Sequence, residues 1–372
     1  MALEQLADET RPVRSIDLSR LSDLARTEAA HFGSVWVDLS ATRRLEAVNT
    51  MVERAEANIH LNFHAILRVC LGDPDGQIRR LAVEGLWEDE KPSLIERLVT
   101  LLAHDPVPDV RAATATALGR FVLLGALGEI SDAAAHQAEK ALQAAWARAE
   151  EPNDVRRRVL ESLAYTADRA VGDLIEMAYN ADDRKMRQSA VFAMGRNADH
   201  RWRKQVLAEL QSRDPAMRLE ATVSAGELGL VAAVQRLIEL MDDADSNISE
   251  AAALALGKIG GREAKRALEE VLGGADERLA QAAEEALEEL TFSGFGFGGR
   301  LDEQGAESWR RAVDVDETED EDFADEEEGD ARLSDDEFQE DDDSWDLEED
   351  EALFWLDEDE EEDEDFRGTD SY

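Results

Sequence analysis

Apolar residues recur along most of this chain at the spacing of helices, not of strands. Val234, Leu237, Ile238 and Met241 stand at i, i+3, i+4 and i+7, which is one stripe on a helix. A polar turn from Asp242 to Asn247 follows and supplies N-cap residues. Ile248, Ala251, Ala252, Ala255, Leu256 and Ile259 then form a second, Ala-rich stripe. The pair repeats: an arginine near the start of the second helix stands at Arg156, Arg187 and Arg218, steps of 31, and the next steps land on Ser249 and Ala280. Neither helix can bury its stripe alone, so a period of this kind predicts hairpins stacked side by side over one continuous core.

The same frame extends upstream. Arg43, Arg79 and Arg111 mark three earlier second helices, in units covering about Leu18 to Glu56, His60 to Trp87 and Lys91 to Leu124. From Arg111 to Arg156 the step is 45, and the extra length falls in residues 121–128 and in a long helix from Ser131 to Arg148. The predicted organisation is a flexible arm over 1–17, a repeat array over 18–290, a Gly/Phe hinge over 291–300 and an acidic tail over 301–372. Gly294, Gly296 and Gly299 match a dinucleotide-loop spacing, but no strand precedes them and no helix pattern follows.

The turns add a resemblance. Asp73-Pro74, Asp105-Pro106 and Asp214-Pro215, each followed by Val, Ile or Met with Arg, and then by Ala-Leu-Gly-like endings, look like HEAT repeats of the short, phycobilin-lyase-like type. The resemblance covers about residues 18–290 and implies an all-α fold, a right-handed α-solenoid of about eight helical hairpins. It also implies that Arg79, Arg111, Arg156, Arg187 and Arg218 form a structural Asp–Arg ladder tying neighbouring units together. As a function it implies a binding scaffold, with bilin lyase or isomerase activity as the enzymatic alternative.

Charge changes the picture at the C-terminal end. The chain carries a net charge of −47. Residues 291–372 hold 37 Asp and Glu against 5 Arg, a net of −32, and residues 1–290 hold 50 against 35, a net of −15. A segment so acidic cannot offset its ordering entropy by burying apolar surface, so the tail is expected to be disordered. Trp345, Leu347, Phe354, Trp355 and Phe366 interrupt the acids. A tail serving solubility alone gains nothing from aromatics; acids that steer and aromatics that anchor suit capture of a basic protein partner.

In the array, Arg157, Arg158, Arg184, Lys185, Arg196, Arg201 and Arg203 are bases outside the repeat frame, and they are the candidate partner-binding residues. A concave basic stripe would also admit a nucleic-acid-binding solenoid with an autoinhibitory tail. The array's net negative charge opposes that reading, because a phosphate backbone needs a positive footprint. Signals for catalysis, cofactors and metals are absent. His60 and His64 share a helix face without a third ligand, and no histidine is followed by the glutamate that HEAT-like di-iron hydroxylases carry. A lone cysteine, Cys70, excludes an internal disulfide framework and stands in an apolar helix. The first residues lack a basic region followed by an apolar run, and no apolar run reaches membrane-spanning length, so the expected setting is cytoplasmic. The sequence thus reads as a non-catalytic scaffold or adaptor.

Overall fold

The computed structural model describes residues 2–297, apart from Glu9 and Ala167. Two short helices, α1 (Ala2–Ala7) and α2 (Ser15–Ser19), lead into eight hairpins. The first three are α3 (Arg26–Trp36) with α4 (Ala41–Ala57), α5 (His64–Cys70) with α6 (Gly76–Gly85), and α7 (Ile95–His104) with α8 (Pro108–Ala126). Next come α9 (Asp132–Ala147) with α10 (Asn153–Leu163) and α11 (Arg169–Tyr179) with α12 (Arg184–Asn197). The last are α13 (Arg203–Glu209) with α14 (Pro215–Glu227), α15 (Val234–Leu240) with α16 (Ser246–Ile259), and α17 (Arg262–Val271) with α18 (Glu277–Phe297). No strand occurs among the described residues. The second helix of every hairpin packs on the second helix of the next, from α4 through to α18, so the array is an α-solenoid whose even-numbered helices form one continuous inner layer.

The local chemistry follows the turns. Asp75, Asp183, Asp214 and Asp245 cap the helices that follow them by accepting from Gln77, Met186, Ala216 and Asn247 backbone N–H groups. Pro108 and Pro215 occupy first turns, where the missing N–H costs nothing. The stretched unit is present in the fold. Helix α9 has 16 residues, where the other first helices of hairpins run from 7 to 11, and α8, with 19, is longer than every other second helix except α18.

The arginine frame resolves into two kinds of contact. Arg79 grips Asp105 of the next unit through Nε (2.7 Å) and Nη2 (2.8 Å), Arg111 reaches Glu151 at 2.8 Å, and Arg218 reaches Asp243 at 3.1 and 3.2 Å. Each also donates to a carbonyl of its own turn: Asp73, Asp105 and Ser212 respectively. Arg156 and Arg187 keep only the turn contacts, to the Arg148 and Ala149 carbonyls and to the Ala181 and Asp182 carbonyls. The carboxylate half of the ladder therefore links three of the five positions. The receiving aspartates are fixed as well, since Asp105 and Asp243 accept from the backbone N–H of Val107 and Asp245.

Three expectations change. In the first unit Arg44, not Arg43, holds the ladder position, with Asp73 at 2.9 Å and the Leu39 carbonyl at 2.6 Å. Arg43 turns the other way and donates to the carbonyls of Leu6, Arg11, Gln5 and Asp8. The stretch read as a flexible arm over 1–17 holds α1 and the start of α2, with Leu6 buried and the buried Arg43 gathering the carbonyls of Gln5, Leu6, Asp8 and Arg11. At the other end α18 continues to Phe297, through most of the stretch read as a hinge over 291–300. The tail over 301–372, with its anchors Trp345, Leu347, Phe354, Trp355 and Phe366, lies outside the described residues.

Candidate functional site

Counting from each frame arginine, positions +1, +5 and +9 fall on one face of the inner helix, because the steps of four nearly match the 3.6-residue turn. In α10 and the turn after it these are Arg157, Glu161 and Tyr165; in α12 they are Gln188, Phe192 and Arg196. That face opens into a cavity of about 470 Å³ that spans α8, α10, α12 and α14. Its wall combines aromatic rings (Tyr165, Phe192), arginines (Arg120, Arg157, Arg158), carboxylates (Glu161, Glu220) and the amide of Gln188.

Most charges here already have partners. Arg158 donates to Glu161 at 2.7 Å, and Arg157 donates to the Lys185 carbonyl (3.0 Å), the Ser189 hydroxyl (2.9 Å) and Asp154 (3.4 Å). Arg196 lies 5.3 Å over the Phe192 ring and 3.4 Å from Glu227, which Lys258 also approaches at 2.5 Å. Arg184 forms a bidentate pair with Asp214. Glu220 differs: its hydrogen-bond donor is the neutral Gln188 amide at 3.1 Å. Burial pushes the Glu220 carboxyl above the usual range, against Gln188 and the nearby arginines 158, 157 and 196. Glu161 is raised by burial too, against the Ser189 hydroxyl, Arg158 and Arg157, with Glu220 adding to the rise. Arg120 is held below its ordinary value by burial, and its Nη2 donates to the Leu86 and Asp89 carbonyls while Nε and Nη1 have no partner among the described residues.

The array's seven candidate bases therefore separate. Arg157 and Arg158 line the cavity, Arg196 stands at the ring of Phe192, and Arg184 and Lys185 sit exposed at the start of α12. Arg201 belongs to a different hollow of about 530 Å³ with Asp168, Arg169, Asn197 and Asp199; its guanidinium lies 4.4 Å over the Trp202 ring. Arg203 opens α13, half-buried. Sequence reading had passed over Arg120, Glu161, Tyr165, Phe192 and Glu220. For Arg120, Glu161, Tyr165 and Phe192 the usable signal was the +1, +5, +9 register, while Glu220, at +2 from Arg218, falls outside it; what the sequence lacks is which carboxylate stays without a countercharge, since that depends on contacts between units.

Among the described residues no three His, Cys, Asp or Glu side chains converge as metal ligands do. None of the described helices is long and apolar enough to cross a membrane. Cys70 is fully buried, and that burial pushes its thiol far above the ordinary range, so it is not a thiolate nucleophile.

The pattern of HEAT repeats matches residues 65–164 and 203–288, half of the chain. This chain belongs to the HEAT-repeat family. No curated protein sequence matches it at a significant level. Solved structures similar to this HEAT-repeat array include yeast importin-beta, at 12% identity with a TM-score of 0.46, over 78% of this chain and 46% of that one. The CpcE–CpcF complex of phycocyanin lyase from Nostoc sp. PCC7120 is similar at 15% identity and a TM-score of 0.42, over 61% of this chain and 94% of that one. Human deoxyhypusine hydroxylase is similar at 21% identity and a TM-score of 0.33, over 72% and 97%. At these values the likenesses carry no argument about activity or partner.

Proposed function

We propose that this HEAT-repeat protein is a non-catalytic interaction scaffold that captures a basic protein partner, with the inner layer supplying a shaped groove and the acidic tail the long-range attraction. The observation that carries this reading is the fate of the groove's bases. Of the cavity's bases, Arg157 and Arg158 are each matched by a carboxylate of the array itself, as are Arg184 and Arg196 nearby, while Arg120 is held by the Leu86 and Asp89 carbonyls. A row of phosphates would have to displace those carboxylates, whereas Glu220 has no countercharge bonded to it and gains from an incoming cation. The net charge of −15 over residues 1–290 and −32 over 291–372 draws basic proteins on both counts.

The test is retention from native lysate on the immobilised full chain, with nuclease-treated and untreated samples at low and high salt. Proteins of high isoelectric point, retained equally after nuclease and released by salt, support the reading. Retention of nucleic acid itself, or of neutral proteins indifferent to salt, defeats it. Measuring visible absorbance of the retained fraction at the same time shows whether a chromophore is carried.

A further inference from the structure

In the 31-residue frame, position +5 of four successive inner helices is Phe192 on α12, Val223 on α14, Leu254 on α16 and Glu285 on α18. Each lies one helical turn from positions +1 and +9. On the +9 side Glu227 stands 3.4 Å from Arg196 and 2.5 Å from Lys258, so three units are joined by one chain of charges. On the +1 side Gln188 reaches Glu220 at 3.1 Å and Arg278 reaches Glu250 at 2.8 Å. The +5 column therefore runs along the inner layer between two polar rails. Leu254 is 37% exposed, and Phe192 and Val223 are half-buried. Arg196 lies over the Phe192 ring, which also forms part of the cavity wall.

This apolar row ends in acid. Glu284, Glu285, Glu288 and Glu289 are exposed on α18, without an ion pair among the described residues; Glu285 accepts from the neutral Gln281 amide at 3.1 Å. The neighbouring bases are committed elsewhere, Lys258 to Glu227 and Arg278 to Glu250. On α17, Lys265 and Arg266 pair with Glu269 and Glu270 of their own helix, which leaves Arg262 as one base against four carboxylates. Spacing adds a second constraint. Packed helices stand about 8–10 Å apart. Gly195, Gly226 and Gly257 set α12 to α18 at the short end of that range, since a Cβ on any of them would lie 2.8–2.9 Å from a Cα of the next inner helix. An extended polyproline-type chain presents the same face every three residues, a rise of about 9.3 Å. A helix returns to one face after about 4.5, 6 or 10.5 Å and falls out of step.

We infer that this row docks an extended segment of the basic partner, apolar at every third residue over three units, with an arginine or lysine three residues further on that meets the carboxylates of α18. The inference rests on the basic-partner reading and states which part of such a partner the groove takes. Charge decides the occupant. An apolar row alone would accept any apolar chain, whereas unpaired acid at one end favours a segment with a base at the matching end. The rails and packed helices are already in place, so the segment alone is ordered on binding.

The test uses the full chain and fluorescein-labelled, amidated peptides followed by fluorescence anisotropy. The probe is Leu-Ser-Pro-Leu-Ser-Pro-Leu-Ser-Pro-Arg, made also in reverse order because an extended chain can lie either way, and the tighter of the two is carried forward. A shuffled peptide of the same composition lacks the three-residue spacing, and another carries citrulline for arginine. One positive charge, equal in the spaced and shuffled peptides, makes general attraction to the tail the same for both. The spaced peptide is expected to bind more tightly than the shuffled one. Leu254→Asn should weaken it about three- to tenfold, the scale of losing one partly buried apolar contact. Glu285→Gln with Glu289→Gln should weaken the arginine peptide about two- to fivefold, as an exposed ion pair would, and leave the citrulline peptide unchanged. These positions are exposed, so both variants should melt close to the wild type, and the glutamine pair decides even if Leu254→Asn does not fold. Equal binding of spaced and shuffled peptides overturns the docking row, as does unchanged affinity in either variant. A helix-forming peptide with leucines seven residues apart that binds more tightly than the spaced one overturns the extended occupant. If basic proteins are retained from lysate while spaced and shuffled peptides bind alike, the row fails and the scaffold reading stands. If no basic protein is retained yet the spaced peptide depends on Leu254 and Glu285, the row stands without that reading.

Discussion

Glu220 shows how little of a residue's behaviour resides in its own chemistry. On an ordinary helix surface it would be a solvated carboxylate; here it is half-buried on α14 in the wall of the cavity, and its hydrogen-bond donor is an uncharged amide of α12. A carboxyl whose folded pKa lies above its unfolded value, about 4.3 for glutamate, costs stability when ionised. That cost is absent below the unfolded value and develops as pH rises through the folded one. Glu220→Gln, which removes the charge and keeps the shape, is therefore expected to melt above wild type at pH 7. The gap should close as pH falls to about 4, the unfolded glutamate range. Thermal melts across that span check it, and a gap independent of pH would mean that burial does not control this group. The ladder arginines teach the complementary lesson. Arg79 and Arg187 look alike in the sequence, yet Arg79 reaches a carboxylate in the next unit and Arg187 ends on its own turn.

At the scale of elements, the 31-residue period sets how closely inner helices approach. A Cβ built on Gly226 would lie 2.9 Å from the Ala255 Cα and 3.0 Å from its Cβ, and one on Gly257 would meet Ala286 at 2.7–2.9 Å. Helices α14, α16 and α18 therefore touch backbone to backbone at these glycines, which is what the Ala-rich second stripe permits. Gly226→Ala must push α14 from α16, and it is expected to cost about 1–3 kcal/mol, as overpacking does. Gly33→Ala is the control: its Cβ would meet Val69 at an ordinary 3.4 Å, so helix propensity makes it neutral or stabilising by up to about 1 kcal/mol. Urea unfolding midpoints of the two variants decide; equal shifts would contradict the close approach. The hairpins, their polar turns and the long α8–α9 unit were all legible from periodicity, because each is a local property of the chain. The register of Arg44 against Arg43 was not, because adjacent arginines are indistinguishable until the N-terminal segment packs against one of them.

At the scale of the whole molecule, charge is divided unevenly, −15 over residues 1–290 and −32 over 291–372. Attraction by the tail acts over a Debye length of about 8 Å at physiological ionic strength, while aromatic anchors act only in contact. Changing Trp345, Phe354 and Trp355 together to Ser leaves every charge in place. On the proposed reading it should weaken retention of basic proteins several-fold and raise their dissociation rate, with far-UV helicity unchanged, because affinity differences of this kind reside mostly in dissociation. Surface-bound chain and a step to buffer measure it; unchanged dissociation would reduce the tail's role to charge alone.

What this sequence determined by itself was the architecture: helical stripes at 3.6-residue spacing, a 31-residue period and capping turns are short-range patterns, and together they admit only stacked hairpins. What the tertiary structure alone decided was the state of the charges, namely which arginines reach a neighbour's carboxylate, that Glu220 is left facing a cavity with an amide, and that Arg68 and Arg120 are spent on Asp89 and the carbonyls of its turn. The physical reason is range. Helix formation depends on residues three and four apart, whereas burial and ion pairing depend on side chains 20 to 40 positions away, whose proximity exists only once the units have stacked.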